Sequence, residues 1–222
     1  MNNNKKSKDS RRQEIERRIL GNAVFNNEVL EIILNAVHDE TQAQVISKRL
    51  TDHFKGVGRI LGQEIDDLKT IEGVTDSTVA IIHGANKLVN MVLKERIEEG
   101  PIINWKKLTD YLQANIGYSG RENLKIMLLN KRFHLIGEET YVGAVGQVSI
   151  LIMEIIRKAI LARATSIIIS HNQPGGTVKP SERDKAMTKE LASACATIGI
   201  KLADHIIVAG NNRFSFKENG LL

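Results

Sequence analysis

The sequence predicts an α/β protein of the α+β type: an all-helical amino-terminal domain, then a domain in which helices flank a mixed β-sheet. Between residues 9 and 98, apolar side chains recur at the spacing of amphipathic helices. After residue 106, short strand-like apolar runs alternate with helix-like segments. Gly100 and Pro101 lie between the two patterns, where glycine favours a helix end and proline prevents continuation.

The helical part divides into five predicted helices. The first begins near Asp9 or Ser10 and ends at Leu20, and the second begins at Asn26 or Asn27 with Leu30 and Ile33 on its apolar face. The other three cover residues 42–54, 57–63 and 77–97. We therefore predict three regions: a flexible basic tail (1–10), a helical domain (11–98) and a sheet domain (102–222).

The second part alternates between the two kinds of secondary structure. Helices are predicted over residues 106–115, 152–160 and 182–198, and strands over residues 123–129, 166–170, 205–208 and 213–216. The run SIIIS at residues 166–170 has the apolar character of a strand buried on both faces. His171 follows it directly, so the sequence places this histidine at a strand end.

The charge of the chain is concentrated near its beginning. The 222 residues carry a net charge of +5, and residues 1–18 alone hold seven basic and three acidic side chains. Such an arm favours nonspecific, salt-dependent contacts with DNA phosphates, although a solvated terminus would have the same composition. The candidate nucleic-acid contacts in this arm are Lys5, Lys6, Lys8, Arg11 and Arg12.

Nothing in the sequence predicts a membrane partner. No run approaches 18 apolar residues, and residues 1–8 lack the apolar stretch of a signal peptide. The single cysteine, Cys195, cannot form an internal disulfide, which fits a reducing compartment. We therefore expect a cytoplasmic protein.

Residues 171–184 have the layout of a zinc hydrolase site in which one ligand is replaced. Side chains at positions i and i+2 of an extended segment point the same way, so His171 and residue 173 could grip one ion, with Asp184 as third ligand. A catalytic zinc takes three protein ligands and a water molecule. Residue 173, however, is Gln173 rather than a second histidine.

This segment resembles the JAMM (MPN-type) metallopeptidase motif in the form found in the bacterial RadC family. The family reads roughly HNHPSG followed by PSxxD, where this chain has HNQPGG at residues 171–176 and PSERD at residues 180–184. The resemblance continues in GIKLADHII at residues 199–207, in FSF at 214–216 and in GLL at 220–222, and extends upstream from Gly143 to Glu122. Residues 11–96 are similar to the family's amino-terminal domain more loosely.

The resemblance implies a JAMM/MPN domain that hydrolyses a peptide or isopeptide bond with zinc, and a link to DNA repair or recombination. By match, Glu122 would be the general base and Ser181 the donor that stabilises the oxyanion. Glu122 could also be an ordinary exposed residue at a strand end. Ser181 is also a helix N-cap candidate with Asp184 at position N3, and both roles can hold together.

The zinc site implied by the resemblance is weakened by Gln173. Gln173 offers a neutral amide oxygen in place of an imidazole. Loss of a partner that only orients a ligand typically lowers metal affinity or activity 10- to 100-fold, and replacing the ligand itself is expected to lower it further. His134 and His205 are not expected to replace the missing ligand, because the first lies in a predicted turn and the second matches a residue outside the family's ligand set.

Residues 68–75, LKTIEGVT, resemble a helix-hairpin-helix turn, which binds DNA phosphates through backbone N–H groups. Gly73 and Thr75 are the candidate contacts, but Thr75 stands where a second glycine is expected, and Glu72 and Asp76 would repel phosphate. A plain turn between packed helices is the alternative.

We therefore predict a RadC-like, zinc-dependent hydrolase scaffold impaired at Gln173. There are two rival hypotheses: a non-catalytic accessory module that binds DNA or protein, and a functioning hydrolase that holds a metal with His171, Asp184 and water, with or without Gln173. Metal content separates these hypotheses.

Overall fold

A computed structural model of the chain describes residues 10–21, 26–102, 104–143 and 148–222. The chain divides into two compact units that part between Ala85 and Asn86. No helix within the described ranges has the length and apolar character needed to cross a membrane.

The first unit is helical, as predicted. Its helices are α1 (Arg11–Leu20), α2 (Asn26–Leu34), α3 (Glu40–Phe54), α4 (Val57–Leu61), α5 (Ile65–Lys69) and the beginning of α6 (Asp76–Glu98). The buried side chains Leu34, Leu50, Ile60 and Leu68 form its core. The sequence did not indicate α5, because five residues with three charged side chains are too short for a helical periodicity to show.

The second unit carries the sheet. After α6 come α7 (Trp105–Leu112), a π-helical turn (Gln113–Gly117), β1 (Asn123–Leu129), β2 (Leu135–Val142), α8 (Val148–Leu161), β3 (Ser166–Asn172), α9 (Glu182–Thr197), β4 (Lys201–Ala209) and β5 (Asn212–Ser215). The strands lie in the order β2-β1-β3-β4-β5. β3 and β4 pair in parallel, with α9 as the crossover that a parallel pair requires, and the other neighbours pair antiparallel.

Each face of the sheet packs against helices. On one face, Ile167 and Ile169 of β3 contact a core that includes Ile155 of α8 and Leu191 of α9. On the other face, Ile168 contacts a core built with α7 and the end of α6. The alternation of one strand between two cores explains the continuous apolar run of β3. The mixed, helix-flanked sheet expected from the sequence is confirmed.

The compact units part inside α6, because Leu93 and Ile97 near its end pack with Leu108 of the second core. The boundary predicted at residues 98–101 follows directly after this helix. β2 was not predicted as a strand. It lies at the sheet edge with four residues partly buried and four exposed, and its GEET sequence at residues 137–140 lacks the strand-forming apolar alternation.

The thiol of Cys195 is fully buried in the core between sheet and α9, and this burial raises its pKa to about 11. The cysteine therefore behaves as a small apolar core residue.

Candidate metal centre

His171 and Gln173 lie at the end of the central strand β3. The backbone N–H of Gln173 donates to the carbonyl of Val208 at 3.0 Å, so the extended pairing with β4 continues one residue past the strand. Since successive side chains of extended backbone point to opposite faces, His171 and Gln173 share a face. His171 is 4 % exposed, and Ser166 to Asn172 are buried throughout.

Asp184 reaches the same place from the first turn of α9. Ser181 caps this helix, and its N–H and hydroxyl donate to Oδ2 of Asp184 at 2.8 and 2.7 Å, while the Asp184 N–H donates to Oγ of Ser181 at 3.1 Å. The predicted capping box is thus confirmed. It holds one carboxylate oxygen, while the other, Oδ1, lies 3.5 Å from Nε2 of His171.

Two buried polar atoms on this face have no hydrogen-bond partner within the protein: Nε2 of His171 and Oε1 of Gln173. A buried polar atom left unpaired costs about 1–3 kcal/mol, so each calls for a ligand. Two atoms bound to one tetrahedral zinc at their usual distances stand about 3.4 Å apart. The 3.5 Å between His171 and Asp184 fits that spacing, and both atoms are of types that zinc binds.

The third donor on this face is an amide. Within the described part of the chain, no three His, Cys, Asp or Glu side chains cluster closely enough to hold a metal ion. The donor set that this chain offers is therefore one imidazole, one carboxylate and the amide oxygen of Gln173. Zinc fits these donors, with one neutral oxygen in place of an imidazole or a carboxylate.

Glu122, directly before β1, is half-buried beside this site. Burial raises the pKa of its carboxyl group, and the negative charge of Asp184 raises it further, against a smaller opposing effect of Arg183. A carboxyl group whose pKa is raised by burial and by the charge of a candidate ligand binds a proton more readily than usual, which is the property required of a general base.

Asn172 holds the segment that carries Glu122. Its amide nitrogen donates to the carbonyls of Ser119 and Arg121 at 3.1 and 2.9 Å, and its amide oxygen accepts from the N–H of Asn123 at 2.7 Å. This role of Asn172 is not among those predicted from the sequence. Its position between the two candidate ligands was the available signal, because the alternate residue of that strand must face the opposite side.

His205 lies behind His171 and is not a substitute ligand. Its Nε2 is 2.8 Å from Nδ1 of His171, the ring nitrogen remote from Asp184, and its own Nδ1 is 2.6 Å from the hydroxyl of Thr188. Phe216 stacks on the His205 ring with 4.5 Å between centroids.

His134 lies in the turn before β2, where its N–H donates to Asn130. Sequence reasoning missed the role of Thr188, whose signal was a β-branched polar residue inside a helix.

The hairpin turn uses its polar groups internally. The hydroxyl of Thr75 accepts from the N–H of Thr78 at 3.2 Å, and the N–H of Thr75 donates to Oγ1 of Thr78 at 3.0 Å. Gly73 has a φ of 93°, and a Cβ there would lie 3.0 Å from Cγ1 of Ile46, so the turn requires glycine. The acidic residues considered repulsive pair locally, Glu72 with Arg49 and Asp76 with Lys69.

The described basic candidates of the arm are also ion-paired. Arg11 donates to both carboxylate oxygens of the buried Glu31, at 2.7 and 3.0 Å, and Arg12 donates to Glu16 at 2.8 Å. Lys5, Lys6 and Lys8 lie outside the described residues. DNA binding by the arm or the hairpin therefore stays a prediction.

Comparison with known proteins agrees with this architecture. Residues 102–221 match the family model described as the RadC-like JAB domain. Three similar relatives are UPF0758 proteins. The one from Variovorax paradoxus is 29% identical and covers 90% of both chains. The one from Fusobacterium nucleatum is 28% identical over 98% of this chain and 99% of its own. The one from Burkholderia mallei is 30% identical over 89% of this chain and 72% of its own. The family match covers more than half of the chain and contains every residue of the candidate centre. The chain therefore belongs to the RadC-like JAB domain family.

Proposed function

We propose that the second unit is a zinc-dependent hydrolase of peptide or isopeptide bonds, with its ion held by His171, Asp184 and Gln173. One observation carries the proposal: Nε2 of His171 is buried without a partner and lies 3.5 Å from a carboxylate oxygen of Asp184. The unpaired Oε1 of Gln173, on the same face, supplies the third donor.

The division of labour follows from the side chains. A zinc ion bound here would supply Lewis acidity and lower the pKa of a bound water molecule. Glu122 would take a proton from the attacking water and return it to the leaving amine, since its raised pKa allows its carboxyl group to hold that proton in passing.

Ser181 is placed to assist at the substrate carbonyl. It is exposed at the start of α9, and its hydroxyl and N–H both donate to Oδ2 of Asp184. If the hydroxyl turns towards a substrate oxygen, the N–H still holds the carboxylate. Ser181 can therefore cap the helix and stabilise an oxyanion without releasing Asp184.

Gln173 sets the strength of the site. An amide oxygen carries no charge and binds zinc less strongly than imidazole, so we expect the ion to exchange readily and activity to be low. The physical reason is the donor atom, since the backbone that presents residue 173 is held by its hydrogen bond to Val208.

The test is the zinc content of the purified protein after mild dialysis, measured by elemental analysis. We expect clearly less than one zinc per chain for the wild type and close to one for Gln173→His, with added zinc raising the melting temperature of that variant. Gln44→His, an exposed position on α3, is the matched control and should bind as the wild type does. A full, dialysis-resistant zinc in the wild type would contradict the weakened site.

A second candidate function is a non-catalytic module that binds DNA or protein. It is favoured by the absence, within the described residues, of a cluster of three His, Cys, Asp or Glu side chains. This function predicts that neither the wild type nor Gln173→His gains stability from zinc. The same experiment therefore separates the two functions.

A further inference from the structure

A series of buried, hydrogen-bonded groups connects two of the candidate ligands, His171 and Asp184, through the ring nitrogen of His171 that is remote from the metal centre. It runs from His171 through His205 and Thr188 to the backbone carbonyl of Asp184. The successive donor–acceptor distances are 2.8, 2.6 and 2.5 Å. His171, His205 and Thr188 are 4 %, 0 % and 1 % exposed, so these contacts have no competition from solvent.

The contacts assign the proton positions. Two oxygens 2.5 Å apart require a hydrogen between them, and a carbonyl has none, so the Thr188 hydroxyl donates to Asp184. A threonine has one hydroxyl hydrogen, and therefore Oγ1 of Thr188 must accept from Nδ1–H of His205. A neutral His205 then has an unprotonated Nε2, which accepts from Nδ1–H of His171.

The consequence falls on the other nitrogen of His171. With the proton on Nδ1, the neutral ring has its lone pair on Nε2, which is the buried, unpaired atom facing Oδ1 of Asp184. The opposite tautomer of His171 would place two N–H groups, or two lone pairs, face to face at one of the contacts between His171, His205 and Thr188. Phe216 stacks on His205 at an interplanar angle of 14° and fixes the plane of that ring.

We propose that Thr188 and His205 are positioning residues, which fix the tautomer and the ring plane of His171 so that Nε2 presents its lone pair to a metal ion. The inference rests on the proposed function for its purpose, but its proton assignment stands on hydrogen bonds within the metal-free protein. Because this series of hydrogen bonds ends on the carbonyl of Asp184, it also links the position of His171 to that of Asp184. A partner of this kind on the remote nitrogen orients metal-binding histidines in general.

The experiment compares threonine variants on α9. Thr188→Val keeps the shape of the side chain and removes the hydroxyl, whereas Thr188→Ser keeps the hydroxyl. Thr197→Val is the matched control, because Thr197 makes the same bond to the carbonyl four residues earlier, with Ser193 at 3.0 Å, but is exposed. Nitrogen-15 NMR of the metal-free protein reports the His171 tautomer, and competition with a chromophoric chelator reports zinc affinity.

We expect the Nδ1–H tautomer of His171 in the wild type, Thr188→Ser and Thr197→Val. In Thr188→Val the tautomers should mix and zinc affinity should fall about 10- to 100-fold. An Nε2–H tautomer in the wild type would overturn the proposal even if Thr188→Val did not fold. Unchanged tautomer and zinc affinity in a folded Thr188→Val would overturn it as well.

The two proposals fail in different ways. If no variant binds zinc but the wild-type tautomer is Nδ1–H and shifts in Thr188→Val, the positioning chain is confirmed and the proposed hydrolase is wrong. If zinc binds and the tautomer does not respond to Thr188, the hydrolase survives and the positioning chain is wrong.

Discussion

Asn172 and its two neighbours on β3 show how one strand end serves two purposes. His171 and Gln173 present unpaired donor atoms on one face, while Asn172 holds the segment before β1 with three hydrogen bonds. The segment it holds carries Glu122, the candidate base. Because successive side chains of a strand point to opposite faces, three consecutive residues position both the candidate ligands and, through Asn172, the candidate base.

His171 and His205, two buried histidines in contact with each other, make the stability of the metal-free protein depend on pH. Burial lowers the pKa of His171, and it lowers that of His205 well below its ordinary value of 6.5. In the unfolded chain both groups take up a proton near pH 6.5, whereas in the folded protein they take it up only at a lower pH. The unfolded state therefore binds more protons, and stability is present above that pH and is lost as pH falls through it.

We expect the free energy of unfolding in the presence of a chelator to fall from pH 7 towards pH 5.5. The slope should approach about 1.4 kcal/mol per pH unit for each buried histidine once the pH is below about 6.5. Urea unfolding at several pH values measures it. His205→Asn should have a flatter slope by about one proton, and His53→Asn, at an exposed position, should keep the wild-type slope. Equal slopes in all three proteins would contradict the assignment of the loss to His205.

Among the elements, α1 and α9, which both begin with a capping box, offer a comparison between stability and function. Ser10 caps α1 and Ser181 caps α9, each in a reciprocal capping box, with Gln13 and Asp184 as the respective partners. In α9 the partner is also a candidate ligand. The same hydrogen bonds that cap the start of the helix therefore direct Oδ1 of Asp184 towards His171.

Ser10→Ala and Ser181→Ala should each lower the free energy of unfolding by about 1 kcal/mol, because each removes one N-cap. Zinc affinity should separate them: we expect a modest loss in Ser181→Ala, whose Asp184 carboxylate keeps the bond from the N–H of residue 181 but loses the bond from the hydroxyl, and no change in Ser10→Ala. Urea denaturation and chelator competition provide the two measurements. If both variants bound zinc as the wild type does, the capping box would have no part in orienting Asp184.

The sequence predicted what local patterns encode and missed what depends on distant pairing. Helical spacing and caps gave the helices of the first unit, and the apolar run before His171 gave β3. β2 escaped because an exposed edge strand needs few apolar residues. The contact between His171 and His205 could not be predicted for another reason. It depends on the parallel pairing of β3 with β4, which places Ile169 beside His205, 36 residues later in the sequence.

For the molecule as a whole, the distribution of charge bears on DNA. Residues 1–18 hold most of the +5 net charge. Within them, the guanidinium groups of Arg11 and Arg12 pair with Glu31 and Glu16. The hairpin turn also keeps its acidic residues paired and its capping N–H groups internally bonded. Phosphate binding is therefore expected to depend on lysines that precede α1.

Deletion of residues 1–9 tests this expectation and leaves the Ser10 cap of α1 in place. The deletion removes Lys5, Lys6 and Lys8 together with Asp9. If the arm binds DNA, each lysine that neutralises a phosphate contributes about 0.9 to the slope of log affinity against log salt concentration, so the slope should fall by about 3. Fluorescence anisotropy of a labelled duplex between 50 and 200 mM salt measures both affinity and slope, a range chosen because phosphate contacts weaken steeply across it. Replacing the three lysines with glutamine keeps the length of the arm and should match the deletion. Salt-resistant binding that survives both changes would place the DNA site in the helical unit and favour the accessory-module function over the hydrolase.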